Sequence, residues 1–477
     1  MPSPIISLPP LALYVHIPWC VRKCPYCDFN SHGIPAGGGA DGGPARPPVA
    51  AYLEALRRDL AAAAALAAGR GDGRAIDTIF LGGGTPSLLT PEEIAQLLAA
   101  VAAEFPLAPG LECTLEANPG ASEHGRFADY RAAGVTRLSL GVQSLRSAQL
   151  TVLGRIHGVE EAERAIAAAA AAGFASVNVD LMYGTPGDTV AGAVADLARV
   201  AALGVGQISW YQLTIEPDTA FGRRPPSLPG EEEGAEIEAA GRAFLAGEGY
   251  ARYEISAYAR PGHRCRHNLH YWTFADYLGI GAGAHGKRTV VTGGEGAGEA
   301  ATWAAVVRTC RPRNPGEYML RVGMGAGLGA GLGAGASAGS TAGHEAEAVA
   351  TAALPLEFLM NALRLVDGVP AALFPARTGL PLAVLAEAWA AGVARGLLGP
   401  VATFGPHPGP GPGSVPVATA GIGLDSGPDS GDTGDSGPDT LRCTPLGLDF
   451  LDDCLALFLP AAPAPDPTHL AERPHPR

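Results

Sequence analysis

The chain has 477 residues, 47% of them hydrophobic and 17% charged, enough to bury a sizeable core in two domains or more. A formal net charge of -14 argues against a nucleic-acid partner held through phosphates, and no apolar run reaches the ~18 residues of a membrane span. Eight cysteines, three of them at positions 20, 24 and 27, read as metal ligands plus free thiols of a reducing compartment, not as a secreted disulfide framework.

Taken in order, Leu11 to Ile17 reads as a buried strand that Pro18 ends. Cys20, Cys24 and Cys27 follow, spaced C-x3-C-x2-C on a loop without amphipathic period. Residues 33–48 read as a flexible Gly/Pro/Ala insertion, and Val49–Ala68 as a helix. Strand Ile76–Leu81 is closed by the turn Gly82–Pro86, and helix Pro91–Glu104 starts on a Thr90 cap with Pro91 at its first position. Strands at Leu111–Ala117, Arg137–Val142, Ser176–Leu181 and Gln207–Leu213 alternate with helices at Ser122–Ala133, Ser147–Leu153, Val159–Ala172 and Thr189–Leu203. Six strands alternating with helices predict an α/β fold around a parallel sheet. That is short of an eight-stranded barrel and fits a partial (β/α)6 barrel.

Further on, Glu231–Gly247 reads as a helix and Tyr250–Ala257 as a strand, and Cys265–Lys287 is dense in His, Asn, Tyr, Trp and Gly. Stretches 323–343 and 405–440 are low in complexity and are expected to be disordered. Helices expected at Ala353–Leu365, Pro381–Ala394 and Pro445–Leu457 form a smaller, mainly helical C-terminal domain. The expected division is thus a core at 10–258, a His/Tyr/Trp segment at 259–322, an insert at 323–352, and the helical domain at 353–460 interrupted by 405–440.

Three thiolates on one short loop each take one iron of a [4Fe-4S] cube and leave the fourth iron open, as an open position marks catalytic zinc sites. Two plainer readings compete: a C-P-Y-C dithiol at Cys24–Cys27, and a structural zinc site. The dithiol does not need Cys20, and no second C-x2-C or H-x3-H lies nearby to complete a zinc set. The spacing, directly after a strand, resembles the signature of radical S-adenosylmethionine (SAM) enzymes. In that family the open iron chelates SAM, and one electron from the cluster releases a deoxyadenosyl radical.

Ligands of parallel α/β sheets gather at the C-terminal ends of the strands. Gly82–Pro86 ends one strand; three glycines admit a close ligand, although a plain tight turn needs no more. Glu116 and Gln143 end two further strands, and Arg155 and Asp180 complete the set. A carboxylate binds a ribose diol or an ammonium, and an arginine holds a carboxylate bidentately. Singly each reads as an ordinary surface polar residue; their fall on successive strand ends does not.

With Tyr14 through Phe29, these residues resemble the coproporphyrinogen III oxidase-like branch of the radical SAM enzymes. The resemblance implies two SAM molecules, one met by Tyr14, Gly83 and Glu116, the other by Tyr26, Gly84, Thr85, Gln143, Arg155 and Asp180. The oxidase carries a further cysteine where this chain has Phe29, which counts against oxidative decarboxylation of coproporphyrinogen III, the enzymatic alternative. His267, Asn268, Tyr271 and Trp272 resemble the H-N-x-x-Y-W signature of the heme chaperone HemW subfamily. An imidazole can ligate heme iron while Tyr and Trp pack on a porphyrin face, although core residues at helical spacing would look alike. Cys265 nearby offers a thiol for a heme vinyl group. The resemblance implies heme as ligand, client apo-hemoproteins as partners, and a homodimer as an open option. It implies the cytoplasm, or a mitochondrial matrix if a targeting peptide is missing from this chain.

Overall fold

The computed structural model describes residues 8–34, 46–120, 125–292, 303–323, 345–402 and 439–459. Of the stretches expected to be disordered, residues 324–343 and 405–438 lie outside these residues, as do the body of the 33–48 insertion and the start of the helix expected at Ser122.

The centre is six parallel strands paired in chain order: β1 (Leu11–Ile17), β2 (Ile76–Gly83), β3 (Leu107–Ala117), β4 (Arg137–Gln143), β5 (Ser176–Tyr183) and β6 (Gln207–Gln212). Their order and direction match the sequence expectation. Residues such as Val15, Ile79, Leu115, Leu140, Val179 and Ile208 are fully buried against the covering helices, the pattern of a sheet sheltered on both faces. Local chemistry sets the helix starts. Helix α2 (Pro91–Glu104), which follows α1 (Val49–Ala68), begins with Thr90 Oγ1 accepting from the Glu93 amide at 3.3 Å. The Thr90 amide donates back to the Glu93 carboxylate at 2.8 Å, and Pro91 sits where no amide is needed.

The sheet extends past these six strands on both sides. The strand expected at Tyr250–Ala257 is a hairpin of β7 (Ala251–Glu254) and β8 (Ala257–Ala259); the Glu254 carboxylate accepts from the Ser256 amide at 3.0 Å and turns the chain. On the other edge β9 (Asp276–Ile280) lies parallel to β1, with Leu278 opposite Leu13. Antiparallel β10 (His285–Thr292), β11 (Trp303–Cys310) and β12 (Glu345–Ala348) follow. Among the described residues the sheet thus has twelve strands, in the order β12-β11-β10-β9-β1-β2-β3-β4-β5-β6-β8-β7.

The C-terminal part is mainly helical, as expected, and packs around Phe358, Phe374, Leu385 and Trp389. The helix expected at Pro445–Leu457 breaks at Phe450 into Pro445–Asp449 and Leu451–Ala456. Phe274 and Val306 from the sheet side join its core, and Arg364 reaches Glu254 at 3.1 Å. No helix among the described residues is long and apolar enough to cross a membrane.

Candidate functional site

The C-terminal ends of β1–β6 open on a cavity of about 460 Å³. Cys20, Cys24 and Cys27 line it, together with Tyr26, Gly83, Gly84, Thr85, Glu116, Gln143, Arg155 and Asp180. Residues from six segments far apart in sequence therefore face one space, because parallel strands deliver every following loop to the same end.

The cysteine loop is held by backbone and by distant side chains. Trp19–Cys20 pairs with His32–Gly33, and the Ile34 amide donates to the Cys20 carbonyl at 2.9 Å. Asn30 Nδ2 donates to the carbonyls of Ala282 and Arg313, both at 2.9 Å, while the Asn30 carbonyl lies 2.9 Å from His16 Nε2. Tyr52 bridges the His16 carbonyl and the Ala282 amide, each at 2.8 Å. A Cβ on Gly283 would fall 2.4 Å from Asn30 Nδ2, so the Gly-rich run after β9 serves as a seat for this loop. In the sequence that run falls in the same Cys265–Lys287 stretch as the His267 motif.

Inside the cavity the Gly83 amide, on a residue with φ of +113°, donates to Glu116 Oε2 at 3.0 Å. Burial, with Asp180 as the next cause, pushes the Glu116 carboxyl up to about 8. Burial raises Asp180 as well, although Asn178 donates to it at 2.7 Å and Ser139 at 3.3 Å. Arg155 Nη1 lies 3.4 Å from Cys24 Sγ and 3.5 Å from the Tyr26 hydroxyl; Nη2 reaches Asn118 Oδ1 at 2.6 Å and the Gly141 carbonyl at 2.5 Å. Its Nε is buried without a partner among the described residues. Gln143 has φ of +72°, unusual for a side chain of its size, and accepts from the Tyr211 hydroxyl at 2.7 Å. Burial raises the Cys20 and Cys27 thiols, so metal uptake there would release protons. Asn118, Ser139, His157 and Tyr211 also line the cavity, and the sequence spacing carries no signal for them.

The structure does not bring Tyr14 or the His267 segment to this cavity. Tyr14 lies beneath it, its hydroxyl 3.0 Å from His16 Nδ1. Helix Arg266–Trp272 meets the opposite end of the strands. His267 is buried, with Nδ1 at 2.8 Å from Thr78 Oγ1 and Nε2 at 3.1 Å from the Tyr271 hydroxyl. The Glu112 carboxylate caps the helix by accepting from the His267 and Arg266 amides at 3.0 and 3.2 Å. Asn268 is half-buried, and the Trp272 ring lies 4.4 Å from the Arg364 guanidinium. Burial, then Glu112, pushes the Cys265 thiol up to about 12, which keeps it protonated and unreactive in this arrangement.

Comparisons with known proteins bear on this arrangement. Residues 14–199 match the radical SAM superfamily, and residues 351–398 match the HemN C-terminal domain. The chain is 43% identical to heme chaperone HemW of Escherichia coli strain K12 over 376 residues, 79% of this chain and 88% of that protein. The chain belongs to the HemW family. It is 41% identical to the HemW of Haemophilus influenzae, over 78% of this chain and 88% of the relative. It is also 38% identical to mouse radical S-adenosyl methionine domain-containing protein 1, mitochondrial, over 60% of this chain and 62% of that one. The solved structure of coproporphyrinogen III oxidase (HemN) from Escherichia coli superposes with a TM-score of 0.67 at 20% identity, covering 94% of this chain and 90% of that one, a likeness of fold.

A radical SAM fold implies a [4Fe-4S] cluster and SAM, and the HemW-family cavity has groups suited to both. Three thiols face one space with the Arg155 guanidinium beside Cys24. Among the described residues the buried Nε of Arg155 and Nδ1 of His157 stand without partners in the same lining. His157 is a neutral acceptor there: its Nε2 lies 3.1 Å from the Val142 carbonyl, and burial followed by the Arg155 charge pushes the imidazole down to about 4.

Proposed function

We propose that this chain is a heme chaperone that binds a [4Fe-4S] cluster, SAM and heme, and passes heme to client apo-hemoproteins. The observation that carries the reading is the 43% identity to heme chaperone HemW across 88% of that protein, joined to a cavity in which the three cysteines converge. Cys20, Cys24 and Cys27 would hold the cluster, which when bound supplies an iron site open to SAM. Gly83 and Glu116 would meet the amino-acid end and the ribose of SAM: a backbone approaches closely at the glycine, and the carboxyl offers both a donor and an acceptor. Arg155 would hold a carboxylate, and His157 would accept a hydrogen bond from a ligand donor. A compartment in the cytoplasm or the mitochondrial matrix accords with the bacterial relatives and with the mouse relative, which is named a mitochondrial protein. The oxidase reading gains only a likeness of fold from the HemN structure.

The test is anaerobic reconstitution, heme titration and transfer to an apo-cytochrome. Tight binding and transfer, without conversion of coproporphyrinogen III, is the expected result. Turnover of coproporphyrinogen III, or absence of heme binding, would sink the reading.

A further inference from the structure

The mouth of the cavity is unlike its interior. Among the described residues ten large apolar side chains are exposed, and three of them line this one opening: Phe29 (58%), Ile156 (57%) and Val21 (41%). Two come from the cysteine loop and one from the Arg155 loop, and the two loops are tied together where Arg22 donates to the Gly154 and Arg155 carbonyls. Lys23 Nζ donates to the Phe29 carbonyl at 2.9 Å, fixing the backbone beneath the exposed ring. Apolar groups held in water on a tied frame mark a surface that a ligand covers. The groups beneath, Glu116, Asp180 and Arg155, suit a polar ligand, whereas this opening suits a broad apolar one.

We propose that heme docks across this opening, one porphyrin face on Phe29, Ile156 and Val21, with its propionates on the side of Arg22 and Lys23. The placement rests on the heme-chaperone reading and puts the ligand at the end of the barrel remote from His267. Charge supports it. In a chain of net charge -14, with lysine only at positions 23 and 287, one lysine and an arginine sit side by side in this loop. Asp28 and Glu216 line the same opening and repel carboxylates, which directs the propionates to the Arg22–Lys23 side. His267, by contrast, has both ring nitrogens engaged and no exposed face for an iron.

Heme and iron-free protoporphyrin IX are titrated into the cluster-loaded wild type, the Phe29→Ser/Ile156→Ser double variant, and Phe450→Ser, which removes a ring of similar exposure (52%) on the C-terminal part. The double variant should bind both ligands at least roughly tenfold more weakly, with cluster absorbance intact and Phe450→Ser unchanged. Lys23→Glu should weaken heme but not its dimethyl ester. Wild-type affinity for heme in the double variant overturns the placement while the chaperone reading stands. A wild type that binds no heme removes both.

Discussion

The two ends of the barrel use similar residues to opposite effect. At the lower end His267, Thr78, Tyr271 and Glu112 form a closed set in which each imidazole nitrogen and the first amides of the helix have partners. At the upper end Glu116, Asp180, Arg155, His157 and three thiols surround about 460 Å³ of space, and Arg155 Nε and His157 Nδ1 have no partner among the described residues. Arg266 Nε, Trp272 Nε1 and both His270 nitrogens at the lower end also lack hydrogen-bond partners among the described residues, so what separates the ends is the open space beside Arg155 and His157, where a ligand can complete them. The lower end is construction; the upper end is a receptor.

That contrast can be broken or sharpened by substitution. The largest effect is expected from Cys24→Ser, which should abolish the cluster, read as loss of bound iron and of cubane absorbance. Cys443→Ser, buried in the C-terminal core, should retain both. Next, His267→Ala should leave the cluster in place but lower unfolding free energy by about 2–4 kcal/mol, since it empties a buried site and strands Thr78. Denaturant titration of the reconstituted protein checks this. Retained stability with lost cluster would reverse the roles of the two ends. Arg155→Lys should weaken SAM binding roughly tenfold, because a single ammonium cannot replace a fork that spans Cys24, Tyr26, Asn118 and Gly141. Equilibrium binding of SAM to the reconstituted variant decides that.

The smallest effect concerns pH. The folded Glu116 carboxyl titrates at about 8 because of burial and then Asp180, above its unfolded value. Between roughly pH 5 and pH 8 the folded chain therefore holds a proton that the unfolded chain has released. Stability contributed by this group is full at low pH and falls as pH rises through that window. Glu116→Gln should lack this fall, so its unfolding midpoint should gain on the wild type as pH rises from 5 to 8.5. Parallel profiles would remove Glu116 as the cause.

Much of the upper end was legible in the sequence because its signals are local. Parallel strands sheltered on both faces read as short apolar runs, and C-x3-C-x2-C is confined to eight positions. The boundaries of α1 and α2 were legible too, through the Thr90–Pro91–Glu93 start and the unbroken Ala/Leu run. What escaped was set by distant pairs. Nothing near Asp276–Ile280 says that it lies beside β1, and nothing near His267 says that Thr78 meets it. Asn118 and Tyr211 were missed for the same reason: their partners, Arg155 and Gln143, are 37 and 68 positions away. The Tyr250–Ala257 stretch looked like one strand because alternation continues across the turn that Glu254 makes with Ser256.

The most direct test of an upper end built to leave one iron free is electron paramagnetic resonance of the reduced, reconstituted protein before and after SAM is added. A cubane signal whose shape changes on addition of SAM, and which is absent in Cys20→Ser, is the predicted result. A signal indifferent to SAM, or one that persists without Cys20, would contradict the account.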